Sequence, residues 1–209
     1  MTESKRFVLS VDPAIRAELA RLLDGEIVTL ASGSPRRREI LRLAGLRCRI
    51  VVPEIDETFP DGIEPRRIAL DLARQKLETI APDGTLTVAA DTIVVLDEHV
   101  LGKPEHREDA IRMLKQLSGR RHYVLTALAV CDRNDRILVD GEKSFVTFHA
   151  PNDEAIARYV DTGEPMDKAG AYGIQGMGEL LVERLEGSLL NVIGFPIELF
   201  LRMVRELRQ

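Results

Sequence analysis

The segment Leu30–Glu39, with the sequence LASGSPRRRE, constrains the fold of this chain more than any other segment. It begins at the end of a β-branched run, Ile27–Leu30, that is typical of a strand, and Ser-Gly-Ser then interrupts the strand pattern. Pro35 suits the first position of a helix, where its missing N–H costs no hydrogen bond. The segment therefore predicts a strand that passes through a short turn into a helix.

The same junction has the features of an anion site. Free backbone N–H groups at a helix start attract anions, and three arginines in a first turn oppose the helix dipole unless an anion is bound. Four side chains there offer hydroxyl or guanidinium donors suited to phosphate: Ser32, Ser34, Arg36 and Arg37. The alternative is a solvated basic helix start. We predict phosphate binding, because the strand and the Ser-Gly-Ser-Pro turn accompany the arginines.

The composition limits the classes of protein and partner. A chain of 209 residues with 44% hydrophobic and 30% charged residues suits one globular domain with a substantial core. The net charge of -5 disfavours nucleic-acid binding, since no overall positive field attracts a polyanion. We find neither a signal peptide nor the ~18 continuous apolar residues that span a membrane. Cys48 and Cys131 lack metal-ligand spacing and are expected to be free, buried thiols. We therefore expect a cytoplasmic protein that binds neither nucleic acid nor membranes.

The order of predicted elements favours an α/β fold with a mixed, twisted sheet and flanking helices. Helices are expected near 13–24, 35–44, 65–80, 105–117, 153–161 and 196–207. Strands are expected near 27–30, 48–52, 86–96, 123–130 and 137–148. The runs Glu179–Arg184 and Leu189–Ile193 are also predicted to be strands. Because several strands follow one another without a helix, the sheet cannot be purely parallel.

Asp91 lies within the apolar run Val88–Val95, which is typical of a central strand. An unpaired carboxylate there would cost several kcal/mol, so Asp91 needs a cation, either a metal or a lysine. The alternative is an aspartate at a strand bend that accepts backbone hydrogen bonds. We favour a functional carboxylate, because Thr92 adds a second polar group to the same run.

Two lysines and an acidic loop are further candidates for charged groups of a functional site. Lys76 lies on the apolar stripe of its helix, and the pattern leaves open whether its ammonium points inward or reaches out to solvent. Lys103 follows a predicted strand within Gly-Lys-Pro and suits a phosphate contact, although a simple surface turn fits as well. The loop Glu54–Glu57 carries three carboxylates, the ligand type that Mg²⁺ takes together with phosphate oxygens, although such loops are usually solvated.

The segment Glu164–Gly176 is rich in small residues yet carries Asp, Lys, Tyr and Gln. Glycines allow the backbone to approach a ligand closely, and the Gln175 amide can both donate to and accept from a nucleobase edge. A purely structural glycine loop is the alternative. We predict a binding loop.

Five motifs in register from Ile27 to the C-terminus resemble the Maf family of nucleoside triphosphate pyrophosphatases: Ala31–Arg37, Ala90–Thr92, Gly102–Pro104, Leu117–Gly119 and Asp167–Gly176. The resemblance implies two lobes around a central cleft, as in the inosine-triphosphate pyrophosphatases. It also implies hydrolysis of a nucleoside triphosphate to the monophosphate and pyrophosphate with a divalent cation, Mg²⁺ or Mn²⁺. The last motif is similar to the branch that acts on dTTP and UTP.

The resemblance also assigns roles, position by position. Asp91 matches the catalytic aspartate and, with Glu57, the metal side of the site; Asp91 or a metal-bound water that it orients would provide the attacking oxygen. The implied substrate-binding residues are Ser32, Ser34, Arg36, Arg37, Lys76, Thr92, Lys103 and Gln175. Among these, Lys76 and Lys103 match phosphate-side lysines, whereas Arg36, Thr92 and Gln175 match the specificity positions of the pyrimidine branch.

Three further expectations complete the interpretation. Residues 1–26 are expected to form an N-terminal extension with a short helix, and residues 27–209 a single Maf-like domain. Relatives suggest a homodimer. The alternative functions are a nucleotide-sensing regulator of septum formation without turnover, since members of the family are associated with inhibition of septation, and the branch that acts on 7-methyl-GTP.

Overall fold

The computed structural model describes residues 7–60, 62–80 and 84–209, and within these ranges seven strands form one mixed sheet. The strands are β1 (Ile27–Ala31), β2 (Arg47–Val51), β3 (Thr87–Leu96), β4 (His99–Leu101), β5 (Arg121–Cys131), β6 (Ile137–Phe148) and β7 (Val182–Glu186). Their order is β2-β1-β3-β5-β6-β7, with β4 paired to β3. The β2-β1-β3 pairs are parallel and the other pairs are antiparallel. The predicted mixed α/β sheet is confirmed.

Seven α-helices and three short 3₁₀ segments flank the sheet within the described residues. The α-helices are α1 (Pro13–Leu23), α2 (Pro35–Leu43), α3 (Pro65–Glu78), α4 (Arg107–Leu117), α5 (Asp153–Asp161), α6 (Leu189–Ile193) and α7 (Ile197–Leu207). The 3₁₀ segments are Glu164–Asp167, Ala169–Ala171 and Gly176–Leu181. Helix α3 covers one face of the sheet, and the other helices build the larger core on the opposite face.

Strand β3 has a gap along one edge. Its first residues pair with β1 as far as Ala31 and Ala89, and its last residues pair with β4 from Val94 onward. Residues 90–93 therefore pair only with β5 among the described strands. Because successive side chains of a strand point to opposite faces, Asp91 lies on the α3 face and Thr92 on the other face. The gap places both side chains beside one opening in the sheet.

Helix α1 lies within the predicted N-terminal extension and packs against α7. Leu19 is fully buried in the larger core, and Nε of Arg205 on α7 donates to Oε1 of Glu18 at 2.6 Å. Asp12 caps the helix by accepting from the Ala14 N–H at 2.7 Å. Residues 1–6 of the predicted extension lie outside the described residues. We propose that α1 is part of the domain core, although the sequence analysis places it in an extension outside the domain.

Two strand predictions near the C-terminus need correction. Leu189–Ile193 is a short helix, because Ser188 accepts from the Asn191 N–H at 3.2 Å and Gly194, at φ 115°, ends the turn. A five-residue apolar run does not distinguish a strand from a buried helical turn. The strand predicted at Glu179–Arg184 begins only at Val182, because a 3₁₀ segment extends to Leu181.

The structure bears on the predictions about membrane-spanning segments and about the two cysteines. Across the described residues, every helix is too short or too polar to cross a membrane. Both cysteines are free thiols, as expected, but they are half-buried rather than fully buried. Burial raises the pKa of Cys48 to about 11, so this thiol is a weak nucleophile at neutral pH.

Candidate active site

A cleft of about 1010 Å³ opens at the gap in β3. Its walls come from the β1–α2 junction, the loop after β2, helix α3, the segment after β4 and the glycine-rich loop. All ten predicted site residues line it: Ser32, Ser34, Arg36, Arg37, Glu57, Lys76, Asp91, Thr92, Lys103 and Gln175. The fold therefore brings together residues that are spread over most of the sequence.

Asp91 and Lys76 form a buried ion pair at the floor of the cleft. Nζ of Lys76 donates to Oδ1 of Asp91 at 2.6 Å, and the two residues are 8% and 6% exposed, respectively. The lysine ammonium therefore points inward, which decides the alternative that the sequence left open. The cation that Asp91 requires within the protein is supplied by helix α3. Each charge compensates the desolvation of the other.

Glu57 extends this pair into a row of alternating charges. Its Oε1 lies 2.7 Å from Nζ of Lys76, and its Oε2 accepts from Nζ of Lys103 at 3.2 Å. Partial burial raises the pKa of Glu57, but hydrogen bonds and charge from Lys76 and Lys103 outweigh this effect, so the pKa is lowered overall. The order Asp91–Lys76–Glu57–Lys103 leads from the buried floor to the exposed rim.

Only one of the three acidic loop residues reaches the cleft within the described chain. Glu57 lines the wall, whereas Asp56 accepts from the Thr58 N–H at 2.9 Å and shapes a local turn, and Glu54 lies outside the lining. Backbone and hydroxyl hydrogen bonds from Thr58 lower the pKa of Asp56. The loop is thus a support for one carboxylate rather than a cluster of ligands.

The β1–α2 junction forms the turn that the sequence predicts. Ser34 caps α2 by accepting from the Arg37 N–H at 3.5 Å, and Ser32 accepts from the Ser34 N–H at 3.2 Å. Pro35 occupies the first turn of the helix. The helix N-terminus therefore faces the cleft with two hydroxyls beside it, an arrangement suited to an anion.

The three arginines of this helix turn in different directions. Arg38 is exposed, and Nη1 of Arg36 reaches across the cleft mouth to Oδ2 of Asp167 at 3.2 Å. Arg37 turns inward, donating from Nε to the Gly194 carbonyl at 2.9 Å and from Nη1 to Oγ of Ser32 at 2.9 Å. Its Nη2 donates to Oγ1 of Thr92 at 3.1 Å. Arg37 therefore braces the wall behind the cleft, whereas Arg36 stands at the entrance.

The glycine-rich loop is organised by Glu164, which the sequence analysis did not single out. Its carboxylate accepts from the Tyr159 hydroxyl at 2.9 Å and from the N–H groups of Met177 and Gly178 at 3.1 and 3.2 Å. Gly176 has φ 69°, and a Cβ there would lie 2.7 Å from Oε2 of Glu164. The positive φ favours glycine at this position, and a Cβ there would also displace the Glu164 carboxylate.

Gln175 lies within this loop and lines the cleft. Its amide makes no hydrogen bond to protein among the described residues, so both its donor and its acceptor can meet a ligand. Gly170 N donates to the carbonyl of Gly102 at 2.9 Å, which ties the loop to the segment that carries Lys103. The loop is therefore held in place while its amide side chain stays available.

Thr92 is supported by two residues that the sequence analysis missed. Its hydroxyl lies 2.9 Å from that of Thr126 on β5, and Thr126 in turn contacts Asn191 on α6. Asn191 is fully buried. The one polar residue in the apolar run Leu189–Ile193, Asn191, could have indicated a buried hydrogen-bonding role. It was overlooked because the run was predicted to be a strand.

The family comparison decides the classification. Residues 27–207 match the model of the family described as Maf-like protein. The chain belongs to the Maf family. Its predicted membership is therefore confirmed over nearly all of the sequence, including every cleft residue named above.

Curated relatives of this Maf chain agree with that classification. A dTTP/UTP pyrophosphatase from Caldicellulosiruptor saccharolyticus is 43% identical over 187 residues, covering 86% of this chain and 94% of the relative. One of the same name from Bacillus anthracis is 42% identical over 184 residues, covering 87% and 94%. A solved structure, a nucleoside-triphosphatase / dITP/XTP pyrophosphatase from Mycobacterium abscessus, is 18% identical, with coverage of 58% of this chain and 74% of that chain and a TM-score of 0.36.

Proposed function

We propose that this chain hydrolyses nucleoside triphosphates, with dTTP and UTP as preferred substrates, to the nucleoside monophosphate and pyrophosphate. The Maf relatives named dTTP/UTP pyrophosphatase support this proposal, since they are 42–43% identical over most of the chain. The observation that carries it is the row Asp91–Lys76–Glu57–Lys103, in which two carboxylates alternate with two ammonium groups along the cleft from its buried floor to its rim. Such a row suits a reaction in which phosphate charge grows.

In this proposal the α3 side of the cleft performs the reaction. Oδ1 of Asp91 is held by Lys76, and its other carboxylate oxygen accepts a proton from the attacking water. The water oxygen forms a bond to the α-phosphorus, the α–β anhydride bond breaks, and pyrophosphate leaves. Lys76, Lys103 and the N-terminus of α2 neutralise phosphate charge, with Ser32 and Ser34 as hydroxyl contacts. Arg36 would bind the triphosphate at the entrance of the cleft, and Arg37 would support the cleft wall behind the triphosphate.

The donor set also fits a divalent cation. Among the described residues no three His, Cys, Asp or Glu side chains are grouped as a complete metal cage. Mg²⁺ commonly takes one or two carboxylates and completes its shell with water and phosphate oxygens, and Asp91 and Glu57 both approach Lys76 within 2.7 Å. These two carboxylates would hold Mg²⁺ or Mn²⁺. When bound, the cation supplies Lewis-acid stabilisation of phosphate charge.

The other side of the cleft would recognise the base. Thr92 lies on the face opposite Asp91, Gln175 offers a free amide, and Arg36 stands at the entrance beside Asp167. This division follows from the alternation of side chains along β3. A bound nucleotide would therefore span the gap in the sheet, with its base on the Thr92 side and its triphosphate on the Asp91 side.

A substrate panel with pyrophosphate detection tests the proposal. The protein is mixed with Mg²⁺ and dTTP, UTP, CTP, GTP or 7-methyl-GTP, and the nucleotide products are separated. We expect monophosphate and pyrophosphate in equal amounts, fastest from dTTP and UTP. Release of orthophosphate or fastest turnover of 7-methyl-GTP would contradict the proposal. Tight binding of UTP without any product would instead support the nucleotide-sensing regulator.

We further propose a cytoplasmic location, where nucleoside triphosphates are abundant. The free thiols Cys48 and Cys131 are consistent with a reducing compartment. The homodimer and the absence of nucleic-acid or membrane partners stay predictions. Size-exclusion chromatography with light scattering measures the oligomeric state.

A further inference from the structure

A chain of hydrogen bonds leads from the cleft wall into the core on the side opposite Asp91. Oγ1 of Thr92 accepts from Nη2 of Arg37 at 3.1 Å and lies 2.9 Å from Oγ1 of Thr126, its cross-strand neighbour on β5. Oγ1 of Thr126 lies 2.8 Å from the backbone carbonyl of Asn191. Thr92 lines the cleft, whereas Thr126 and Asn191 are fully buried behind it.

The direction of each hydrogen bond in this chain is fixed by chemistry. The Asn191 carbonyl can only accept, so the single proton of the Thr126 hydroxyl is donated to it. Thr126 can then only accept from Thr92, which uses the single proton of the Thr92 hydroxyl. The Arg37 guanidinium can only donate, and it occupies one lone pair of Oγ1 of Thr92. The Thr92 hydroxyl keeps one lone pair, and no proton, for a ligand.

Asn191 holds this arrangement rigidly. Its Oδ1 accepts from the Thr126 N–H at 3.1 Å, and its Nδ2 donates to the Val124 carbonyl at 3.1 Å and to Oγ of Ser144 at 2.9 Å. These partners also fix which end of the amide is oxygen, since the Thr126 N–H must donate and the Val124 carbonyl must accept. The backbone and side chain of Asn191 thus both clamp Thr126.

We infer that Thr126 and Asn191 are positioning residues that make the Thr92 hydroxyl a hydrogen-bond acceptor toward the cleft, so that it selects a pyrimidine with an N3–H donor. This inference rests on the proposed function and names the feature of the base that the site reads. Uracil and thymine carry a hydrogen at N3, whereas N3 of cytosine is itself an acceptor. Two acceptors repel, so cytosine is disfavoured at this contact. The Gln175 amide can turn either end to a ligand and cannot by itself make the distinction.

Binding of non-hydrolysable nucleotides tests the inference separately from turnover. We would measure by calorimetry, with Mg²⁺, the Kd of the α,β-methylene analogues of UTP and CTP for the wild type, Thr126→Val and Thr126→Ser. The wild type is expected to prefer the UTP analogue. In Thr126→Val the Thr92 proton is free to turn toward cytosine N3, and the UTP/CTP preference should fall about tenfold, the effect of one hydrogen bond. Thr126→Ser keeps the hydroxyl and should keep the preference.

Thr29→Val provides a matched control. Thr29 is also a fully buried strand threonine, and its hydroxyl lies 3.0 Å from that of Thr85, away from this chain of hydrogen bonds. It should leave the UTP/CTP preference unchanged, and thermal unfolding verifies that each variant is folded. Should Thr126→Val fail to fold, Thr126→Ala removes the same hydroxyl with a smaller side chain.

Three results would overturn the inference. They are equal affinity of the wild type for both analogues, an unchanged preference in folded Thr126→Val or Thr126→Ala, and loss of the preference in Thr126→Ser. The wild-type ratio tests the inference even without a folded variant. Pyrophosphate release from UTP by the wild type decides the proposed function on its own, because a base preference in binding can exist without turnover.

Discussion

Asp91 and Lys76 are 15 positions apart in the chain, one on β3 and one on α3, and their charged groups meet at 2.6 Å beneath the cleft. Neither charge is accessible enough for water alone to stabilise it. The pair therefore connects stability to the proposed chemistry, because the lysine that pairs with buried Asp91 also lines the cleft proposed to hold the phosphates. Removing either partner should lower the free energy of unfolding more than removing one partner of a surface ion pair does, because a buried charge is left without compensation.

Asp91→Asn should reduce turnover by about two to four orders of magnitude, because the amide cannot accept the proton of the attacking water. Pyrophosphate release from UTP measures the change, and circular dichroism verifies the fold. Asp97→Asn is the matched control, since Asp97 follows the same strand but lies exposed beside Arg120. Near-normal turnover in Asp91→Asn would remove this residue from the mechanism.

Lys76→Met should lower the free energy of unfolding by about 3 kcal/mol, because Asp91 would be left buried without its cation. Part of this loss should return in the double variant Lys76→Met/Asp91→Asn, where the uncompensated charge is absent. Urea unfolding of the four proteins in this cycle measures the coupling. Lys115→Met, at the exposed pair with Asp153, should cost less than about 1 kcal/mol. Equal costs for the two lysines would contradict the role of burial.

The entrance pair should affect substrate affinity more than stability. In the proposed function Asp167 would compete with the substrate for Arg36, so Asp167→Asn should lower KM for UTP a few-fold, whereas Arg36→Gln should raise it by about tenfold. The pair is solvent-exposed, and neither change should alter the unfolding free energy by more than about 1 kcal/mol. Steady-state kinetics with UTP provides the test, and opposite signs for the two KM changes are the expected signature.

His122 should make stability depend on pH below neutrality. Burial lowers its pKa from 6.5 to about 4, so between these values the unfolded chain binds a proton that the folded protein does not. Stability should therefore fall as pH drops from 6.5 towards 4, by up to about 1.4 kcal/mol per pH unit from this group. His122→Gln, which can still contact the Tyr172 hydroxyl, should flatten the profile in urea unfolding. The exposed His99→Gln serves as control and should retain the wild-type slope.

Leu19→Ala tests whether α1 is part of the core. Leu19 is fully buried, so the substitution should lower the free energy of unfolding by about 2–5 kcal/mol. Leu22→Ala, at a half-buried position of the same helix, should cost clearly less. A negligible effect of Leu19→Ala in thermal unfolding would show that the helix is an appendage.

The sequence predicted those parts of the site that depend on local pattern. Asp91 in an apolar run favoured a cation partner over backbone hydrogen bonds at a strand bend, and a serine and proline before an arginine-rich segment predicted a helix start. The inward orientation of Lys76 was left open, because a helical stripe gives a direction but not a partner. The orientation of Lys76 depends on its contact with Asp91, and this contact exists only because α3 packs on β3.

The remaining features arise from contacts between distant residues. Thr126 and Asn191 are 65 positions apart, and no local pattern connects a strand threonine with an asparagine in a short helix. The turn of Arg37 toward Gly194 likewise depends on a segment 157 positions away. The mistaken strand at Leu189–Ile193 has the same origin, because the cap at Ser188 and the stop at Gly194 outweighed the apolar run.

The stretch of β3 that pairs only with β5 has a consequence for how substrate preference can change during evolution. One peptide unit separates Asp91 from Thr92, yet their side chains lie on opposite sides of the sheet. In the proposed function, substitutions behind Thr92 would therefore alter which nucleotide is accepted while the proposed catalytic carboxylate, Asp91, keeps its surroundings. New selectivity can arise in such a scaffold without rebuilding the catalytic machinery.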